Sequence, residues 1–293
     1  MAEKPKSTGG CPMGHGNPEA FVQVTPGHLT YNDYLKVPEL LTLQKLQSDP
    51  PHHDELLFIV IHQAYELWFK LVLHEIGAAI KCMDQKEVLQ AHHFMKRVVA
   101  IMRLLVDQIH ILETMTPADF MEFRYRLEPA SGFQSLQFRE LEYVAGMRDE
   151  RFLKYFKDRP EMIEALKKRL GEPDVRHHYY EMLKKMGYAI PNNASKLEVE
   201  GDEEAKAAII KALLPIYKTP AKNYELYLLS ESLVEFDEFL SLWREHHVRV
   251  VERVIGFRRG TGGSAGAEYL KSTTSKRAFP YLWEVRSYLE RGN

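Results

Sequence analysis

The sequence predicts an all-α protein. Apolar residues recur three and four positions apart in almost every ordered stretch, which is the spacing of one face of a helix. No stretch alternates as a strand would, and no internal repeat is present. Residues 1–27 are small, polar and rich in Gly and Pro, so we expect a disordered tail there. No strong boundary divides the remainder, and we expect residues 28–293 to form a single large helical domain.

The long helices have the clearest pattern. Apolar spacing predicts helices over residues 54–83, 86–112 and, longest of all, about 224–255. Thr116 followed by Pro117 predicts a further helix start, because threonine caps the first turn and proline fits it. Shorter helices are expected at residues 35–47, 133–146, 150–157, 160–170, 174–186, 204–217 and 282–290, with a loop and an acidic turn before residue 204.

Composition and charge exclude several classes of protein. The 39 Lys and Arg residues nearly balance 41 Asp and Glu residues, which argues against a broad nucleic-acid or polybasic membrane surface. Two cysteines, Cys11 and Cys82, exclude a disulfide scaffold and fit a reducing cytosol. The N-terminus lacks the apolar core of a signal peptide, and the longest uncharged apolar run, residues 56–65, is about half a membrane span. We therefore expect a soluble, cytoplasmic protein with no nucleic-acid or membrane partner.

Two of the 13 histidines stand inside apolar helical stripes. His62 continues the stripe of Phe58 and Tyr65, and His247 lies between Trp243 and Val250 in the longest helix. Each could be a core histidine hydrogen-bonded to a neighbour, or a metal or cofactor ligand within a helical bundle. Spacing alone leaves both interpretations open. The chain contains neither HExxH nor Glu-x-x-His, which excludes the usual zinc-protease and di-iron signatures.

Arg124 and a glycine-rich loop are further candidates for binding. Arg124 follows Phe120 and Phe123, so its guanidinium could stack on the aromatic rings or pair with a ligand carboxylate. The loop at residues 258–264 combines two arginines, free backbone N–H groups and hydroxyls, which suits an anion, a lid or a helix end. It follows a helix and lacks the P-loop order, so we expect no nucleotide site.

Three segments of the chain resemble the tryptophan 2,3-dioxygenase family, and they occur in that family's order. The first is His52-His53-Asp54-Glu55 with HQAYELWFK at residues 62–70, the second is SGFQSLQFR at residues 131–139, and the third is GTGGS at residues 260–264. The resemblance extends from residue 29 to the C-terminus. It implies an all-α haem b enzyme, assembled as a homotetramer, that uses O₂ to open the indole ring of L-tryptophan. The product would be N-formyl-L-kynurenine, in the first step of the kynurenine pathway.

The resemblance also implies roles for individual residues. His247 matches the proximal histidine that ligates the haem iron, and His62 matches the distal histidine that hydrogen-bonds the indole N–H. We expect a partner on the second ring nitrogen of His247, as is usual for metal-bound histidines. The implied substrate-binding positions are Arg124 for the carboxylate, Thr261 on a mobile loop, Phe58, Phe123 and Leu127 around the indole, Ser131 beside the haem, and Tyr31, Tyr34 and Leu35 on a segment that reaches into a neighbouring subunit's site. Some members of the family have a tyrosine in place of Phe120, whose hydroxyl helps to hold the carboxylate, so Arg124 and the loop would carry more of that binding here.

Other functions stay open on the sequence. A protein of the same fold could act as a haem monooxygenase on a substituted tryptophan in secondary metabolism. A haem carrier or sensor without catalysis would keep the fold and the iron ligand. A helical interaction protein would need no cofactor at all.

Overall fold

The structure is a computed structural model that describes residues 28–258 and 267–289, apart from the side chains of residues 198–200. Every regular element in these two ranges is a helix, so the predicted all-α class is confirmed. Thr261 and the expected tail at residues 1–27 lie outside the described residues. The α-helices are α1 (Tyr31–Leu35), α2 (Val37–Leu40), α3 (His53–Gln85), α4 (Val88–Leu112), α5 (Pro117–Arg124), α6 (Leu136–Val144), α7 (Pro160–Gly171), α8 (Val175–Lys185), α9 (Ala194–Glu200), α10 (Glu203–Lys218), α11 (Tyr224–Ile255), α12 (Ala267–Lys271) and α13 (Pro280–Glu284). Shorter 3₁₀ helices occupy Tyr125–Leu127, Gly132–Gln134, Glu150–Phe156 and Val285–Tyr288.

The chain divides into two compact units, residues 1–45 and residues 46–293. In the described part of the smaller unit, Thr30 caps α1 by accepting a hydrogen bond from the backbone N–H of Asp33. Lys36 then adopts a left-handed conformation with φ of 54°, and α2 starts with a proline in its first turn. The expected helix over residues 35–47 is therefore wrong, since Lys36 interrupts the helix and α2 ends at residue 40.

Three long helices form the core of the larger unit. Helix α4 packs against both α3 and α11 along much of its length, and α3 also contacts α6 and α8. All three long helices fall within three residues of their predicted bounds. Their inner faces are fully buried and carry the side chains that the helical period selects: Val72 and Ala79 on α3, Met95, Val98 and Leu105 on α4, and Leu229, Leu233, Phe236 and Leu240 on α11.

Local capping changes two of the shorter elements. The single helix expected over residues 133–146 is a 3₁₀ turn followed by α6, because Ser135 is extended and its hydroxyl accepts a hydrogen bond from the N–H of Phe138. The expected helix over residues 150–157 is entirely 3₁₀. Helix α9 covers part of the region expected to be a loop and an acidic turn, and it ends at Gly201 with φ of 71°.

Helix α3 is also long and apolar enough, by length and composition alone, to cross a membrane. One such helix is weak evidence, since the core helix of a globular protein meets the same criterion. A face of α3 is buried against the neighbouring helices, but Leu56, Val60 and Leu67 on its other side are about half exposed. Within the described part of the chain these three side chains form an exposed apolar strip.

Candidate active site

The start of α3 is built by the residues that precede it. His52 is the N-cap, and its Nδ1 accepts a hydrogen bond from the N–H of Asp54 at 3.2 Å. Glu55 is fully buried and accepts hydrogen bonds from the backbone N–H groups of Gln47 at 2.7 Å and Ser48 at 2.9 Å. Burial raises the pKa of Glu55, but the hydrogen bonds from Ser48 and Gln47 outweigh it and the pKa is lowered overall. The Glu55 carboxylate thus connects residues 47–48, which precede α3, to the first turn of that helix. Glu55 lies two turns before His62.

His62 is neutral, and its hydrogen bond fixes its tautomer. The ring Nδ1 lies 2.7 Å from the carbonyl oxygen of Phe58, which only accepts, so Nδ1 carries the proton and donates it. Desolvation lowers the pKa of His62 below 6.5, more than the hydrogen bond to Phe58 and the charge of Glu66 raise it. In this tautomer Nε2 holds a lone pair and is an acceptor for an N–H donor.

His247, on α11, is also neutral. Desolvation lowers the pKa of His247 to about 4, with smaller contributions from Arg139 and from the charge that His62 carries when it is protonated. Its imidazole is stacked on Trp243 with ring centroids 5.1 Å apart and planes inclined by 23°. Among residues 28–258 and 267–289, neither ring nitrogen of His247 has a hydrogen-bond partner. The partner that we expected on its second nitrogen is therefore not found among these residues. The imidazole contacts the face of the Trp243 ring instead.

His62 on α3 and His247 on α11 influence each other electrostatically. A charge on His62 acts on the pKa of His247, so the two rings lie within electrostatic range of each other. Both are strongly desolvated by surrounding protein, yet His62 remains exposed and His247 remains half-buried. From this combination of desolvation and accessibility we infer that the two rings line a recess between α3 and α11. The recess thus offers one neutral nitrogen acceptor from each helix.

An aromatic wall joins His62 to α5. Phe58 lies 4.1 Å from His62, 5.7 Å from Phe120 and 5.8 Å from Phe123 between ring centroids. Phe120 and Phe123 meet edge-to-face at 5.4 Å. Phe123 is fully buried and backs the wall, whereas Phe58 and Leu127 are half-buried and keep accessible surface.

The remaining predicted site residues are distributed as follows. Arg124 is buried at the last position of α5. Thr116 caps the N-terminal end of this helix, as predicted. Ser131 caps the Gly132–Gln134 turn with a capping box, which the side chain of Gln134 completes at 3.0 Å. The following segment is anchored to α3 through Glu66, which accepts hydrogen bonds from Ser135 at 2.5 Å and Gln137 at 2.8 Å. In the smaller unit the side chains at the expected substrate positions are exposed: Tyr31, Tyr34 and Leu35.

Comparison with known proteins finds relatives that match most of the chain. The family model described as tryptophan 2,3-dioxygenase matches residues 15–195 and 199–289. The chain is 46% identical over 266 residues to the tryptophan 2,3-dioxygenase of a Nocardioides species, covering 89% of this chain and 95% of that protein. It is 44% identical to the enzyme of that name from Caulobacter vibrioides, over 89% of this chain and 98% of the relative. For the Bacillus anthracis enzyme the identity is 40%, over 89% and 93% of the two chains.

The chain belongs to the tryptophan 2,3-dioxygenase family. The residues that the family model matches include α3, α5 and α11, which carry His62, Arg124 and His247. The predicted family, and with it an oxidoreductase enzyme, is confirmed.

Sequence reasoning missed a charged cluster behind Trp243. The carboxylate of Glu142 bridges Arg139 and Arg244 at 2.6 Å each, and all three side chains are less than a tenth exposed. Arg139 also lies over the rings of Phe138 at 4.7 Å and Phe152 at 3.9 Å. The cluster has a net positive charge, which explains why Arg139 contributes to the low pKa of His247.

The residues present fit a haem in this dioxygenase-family site. No group of three or more His, Cys, Asp or Glu side chains in the described part of the chain could hold a bare metal ion. A haem needs only one axial ligand from the protein, and a neutral imidazole with an unpartnered nitrogen in a protein-lined recess meets that requirement. His247 is such a neutral imidazole, and its ring is stacked on Trp243.

Proposed function

We propose that the protein is a tryptophan 2,3-dioxygenase that adds O₂ across the indole C2–C3 bond of L-tryptophan. Both oxygen atoms finish in N-formyl-L-kynurenine, so the product is the sum of the two substrates. This is the first step of the kynurenine pathway of tryptophan degradation. The observation that supports the proposal, beside the family, is that His62 on α3 and His247 on α11 are both neutral and lie within electrostatic range of each other.

Haem b is the cofactor in this proposal, and His247 is its axial ligand. The haem, when bound, supplies the activation of O₂ that amino-acid side chains do not provide. The contribution of the protein is a nitrogen that is unprotonated at neutral pH. Because the pKa of His247 is about 4, almost no proton competes with iron for that nitrogen at pH 7.

His62 orients the substrate by accepting a hydrogen bond from the indole N–H. Its Nδ1–H is already committed to the carbonyl of Phe58, which leaves the Nε2 lone pair for that bond. A lowered pKa makes His62 a weak base, so the arrangement favours an acceptor over a group that must remove the proton.

The amino-acid end of the substrate is assigned to Arg124 and to Thr261 on the glycine-rich loop. Arg124 is buried beside Phe123, so a carboxylate paired with it would be shielded from water. Phe58 and Leu127 would contact the indole, with Phe123 behind them, and Ser131 would lie beside the haem. Phe120 offers no hydroxyl to the carboxylate, which leaves the guanidinium as the main anchor among the described residues.

The proposed assembly is a homotetramer in which an N-terminal segment completes a neighbouring subunit's site. Tyr31 and Tyr34 are about three-quarters exposed in the smaller unit, which suits side chains that bind elsewhere. Light scattering of the purified chain tests the tetramer. Replacing both tyrosines by serine should raise KM for L-tryptophan without loss of haem, and an unchanged KM would contradict the exchange.

The reaction is tested with the haem-loaded protein, L-tryptophan and ¹⁸O₂. We expect N-formyl-L-kynurenine with two labelled oxygen atoms, measured by mass spectrometry. A product with one label would identify a monooxygenase, and unchanged tryptophan with bound haem would identify a carrier or sensor. A protein that shows no Soret band after haem supplementation would contradict any haem-dependent activity.

A further inference from the structure

The orientation of His247 has an unusual origin. A metal-bound histidine usually donates its second ring N–H to a carboxylate, a carbonyl or a water, and that bond fixes the plane of the ring. Within residues 28–258 and 267–289 no carboxylate or carbonyl oxygen of the protein accepts a hydrogen bond from His247. Its ring contact in that range is with Trp243, one helical turn earlier on α11. Positions four apart share a helix face, so the helix itself brings the two rings together.

Trp243 is itself held from several sides. Its ring lies 4.8 Å from Phe138 on α6, and it meets Tyr65 at 6.0 Å and Phe69 at 6.4 Å edge-on from α3. The Tyr65 hydroxyl donates a hydrogen bond to the carbonyl of Leu105 on α4 at 2.9 Å. Side chains of α6 and α3 contact the indole directly, and α4 holds Tyr65 through its hydrogen bond. These contacts fix the plane of the indole on which the imidazole is stacked.

Phe138, which contacts Trp243, is itself stacked against a buried arginine. The Arg139 guanidinium lies between the rings of Phe138 and Phe152, and Glu142 holds that guanidinium by an ion pair of 2.6 Å. Among the described residues the Nε1 atom of Trp243 is buried and has no hydrogen bond of good geometry. Its N–H interacts with the Tyr65 hydroxyl and lowers the pKa of that group, against the larger effect of burial. Towards His247 the indole presents its flat face.

We propose that Trp243 is a positioning residue for His247, and that its stacked indole fixes the plane of the imidazole. The inference rests on the proposed function in one respect, that His247 ligates the iron. A ring without a flat neighbour would turn about its Cβ–Cγ bond, and the iron-binding nitrogen would then point in a range of directions. A phenyl ring preserves a flat face at this position, whereas an aliphatic side chain does not.

The test compares Trp243→Phe with Trp243→Met, which fills an irregular space without a flat face. The control is Trp283→Met, because Trp283 also packs on α11 but donates its Nε1–H to Asp237 at 2.9 Å, far along the helix from His247. The readouts are the iron–histidine stretching band in resonance Raman spectra of the ferrous protein, the affinity for haem, and Tm. Trp243→Leu serves as the aliphatic variant if the methionine variant is insoluble.

We expect Trp243→Met to shift or broaden the iron–histidine band and to weaken haem binding by roughly 10-fold to 100-fold. Trp243→Phe should restore both, and Trp283→Met should lower Tm with the band unchanged. An unchanged band and haem affinity in Trp243→Met would overturn the positioning role, whatever its Tm. Wild-type protein that binds no haem, or binds it without an iron–histidine band, would instead overturn the proposed function and this inference with it.

Discussion

Replacing His62 by alanine decides whether this residue is an acceptor or an obligatory base. A hydrogen bond from the indole N–H to Nε2 contributes a net 0.5–1.5 kcal/mol or so, which corresponds to a roughly 2-fold to 13-fold loss of kcat/KM. Loss of a general base costs about 100-fold to 10,000-fold. The lowered pKa of His62 and its donated bond to Phe58 favour the acceptor, so we expect the smaller loss.

The assay is steady-state kcat/KM at saturating O₂ for L-tryptophan and for its N1-methyl derivative, which lacks the indole N–H. In wild-type protein the methyl group both removes the hydrogen bond and crowds Nε2. In His62→Ala the penalty for methylation should largely disappear, because the acceptor is gone and space is available. His53→Ala is the control, since that side chain lies on the same helix and is almost completely exposed.

Two results would refute the acceptor role. One is a loss of more than 100-fold in His62→Ala while haem binding is intact. The other is an equal penalty for N1-methylation in wild type and variant, which would mean that His62 does not contact the indole nitrogen.

Three further predictions concern the anchor, the charged cluster and pH. Arg124→Ala should raise KM for L-tryptophan by roughly 30-fold to 1,000-fold, from about 2–4 kcal/mol for a shielded carboxylate pair, while Arg126→Ala should leave it nearly unchanged in the same kinetics. In urea denaturation Glu142→Gln should lose about 3–5 kcal/mol, because two buried arginines lose their counter-charge, whereas Glu235→Gln, in an exposed pair with a lysine, should lose less than about 1 kcal/mol. Since the pKa of His247 is lowered to about 4, the unfolded chain binds its proton first, and the unfolding free energy of the haem-free protein should fall as pH drops from about 6.5 towards 4. His247→Ala should flatten that dependence, and an equally steep curve in the variant would contradict the assignment.

The positions of the two key histidines were predictable because they depend on helical period alone. The stripes on α3 and α11 predict that His62 and His247 each share a helix face with the neighbouring apolar residues. The Trp243–His247 stack has the same i,i+4 origin and could have been found by the same reasoning. The bounds of the long helices were also predictable from the helical period of their apolar residues. Lys36 and Ser135 interrupt two predicted helices, because their backbone conformations are local features that apolar spacing does not reveal.

The features that escaped prediction join residues far apart in the chain. Glu142 pairs with Arg139 three positions away, but its second partner, Arg244, lies 102 positions further on. Glu66 meets Ser135 across 69 positions. Such contacts depend on how the helices pack, which periodicity does not specify. The roles of Arg124 and Thr261 came from family resemblance, and those roles stay predictions.

The assignment of His247 as the iron ligand is tested most directly by haem titration of His247→Ala beside His246→Ala. His246 is the adjacent residue on α11, is half-buried, and contacts the ring of His110 at 5.1 Å instead of Trp243. We expect His247→Ala to lose the Soret band of specifically bound haem, and His246→Ala to bind haem as the wild-type protein does. A His247→Ala protein that retains haem with an unchanged spectrum would contradict the assignment.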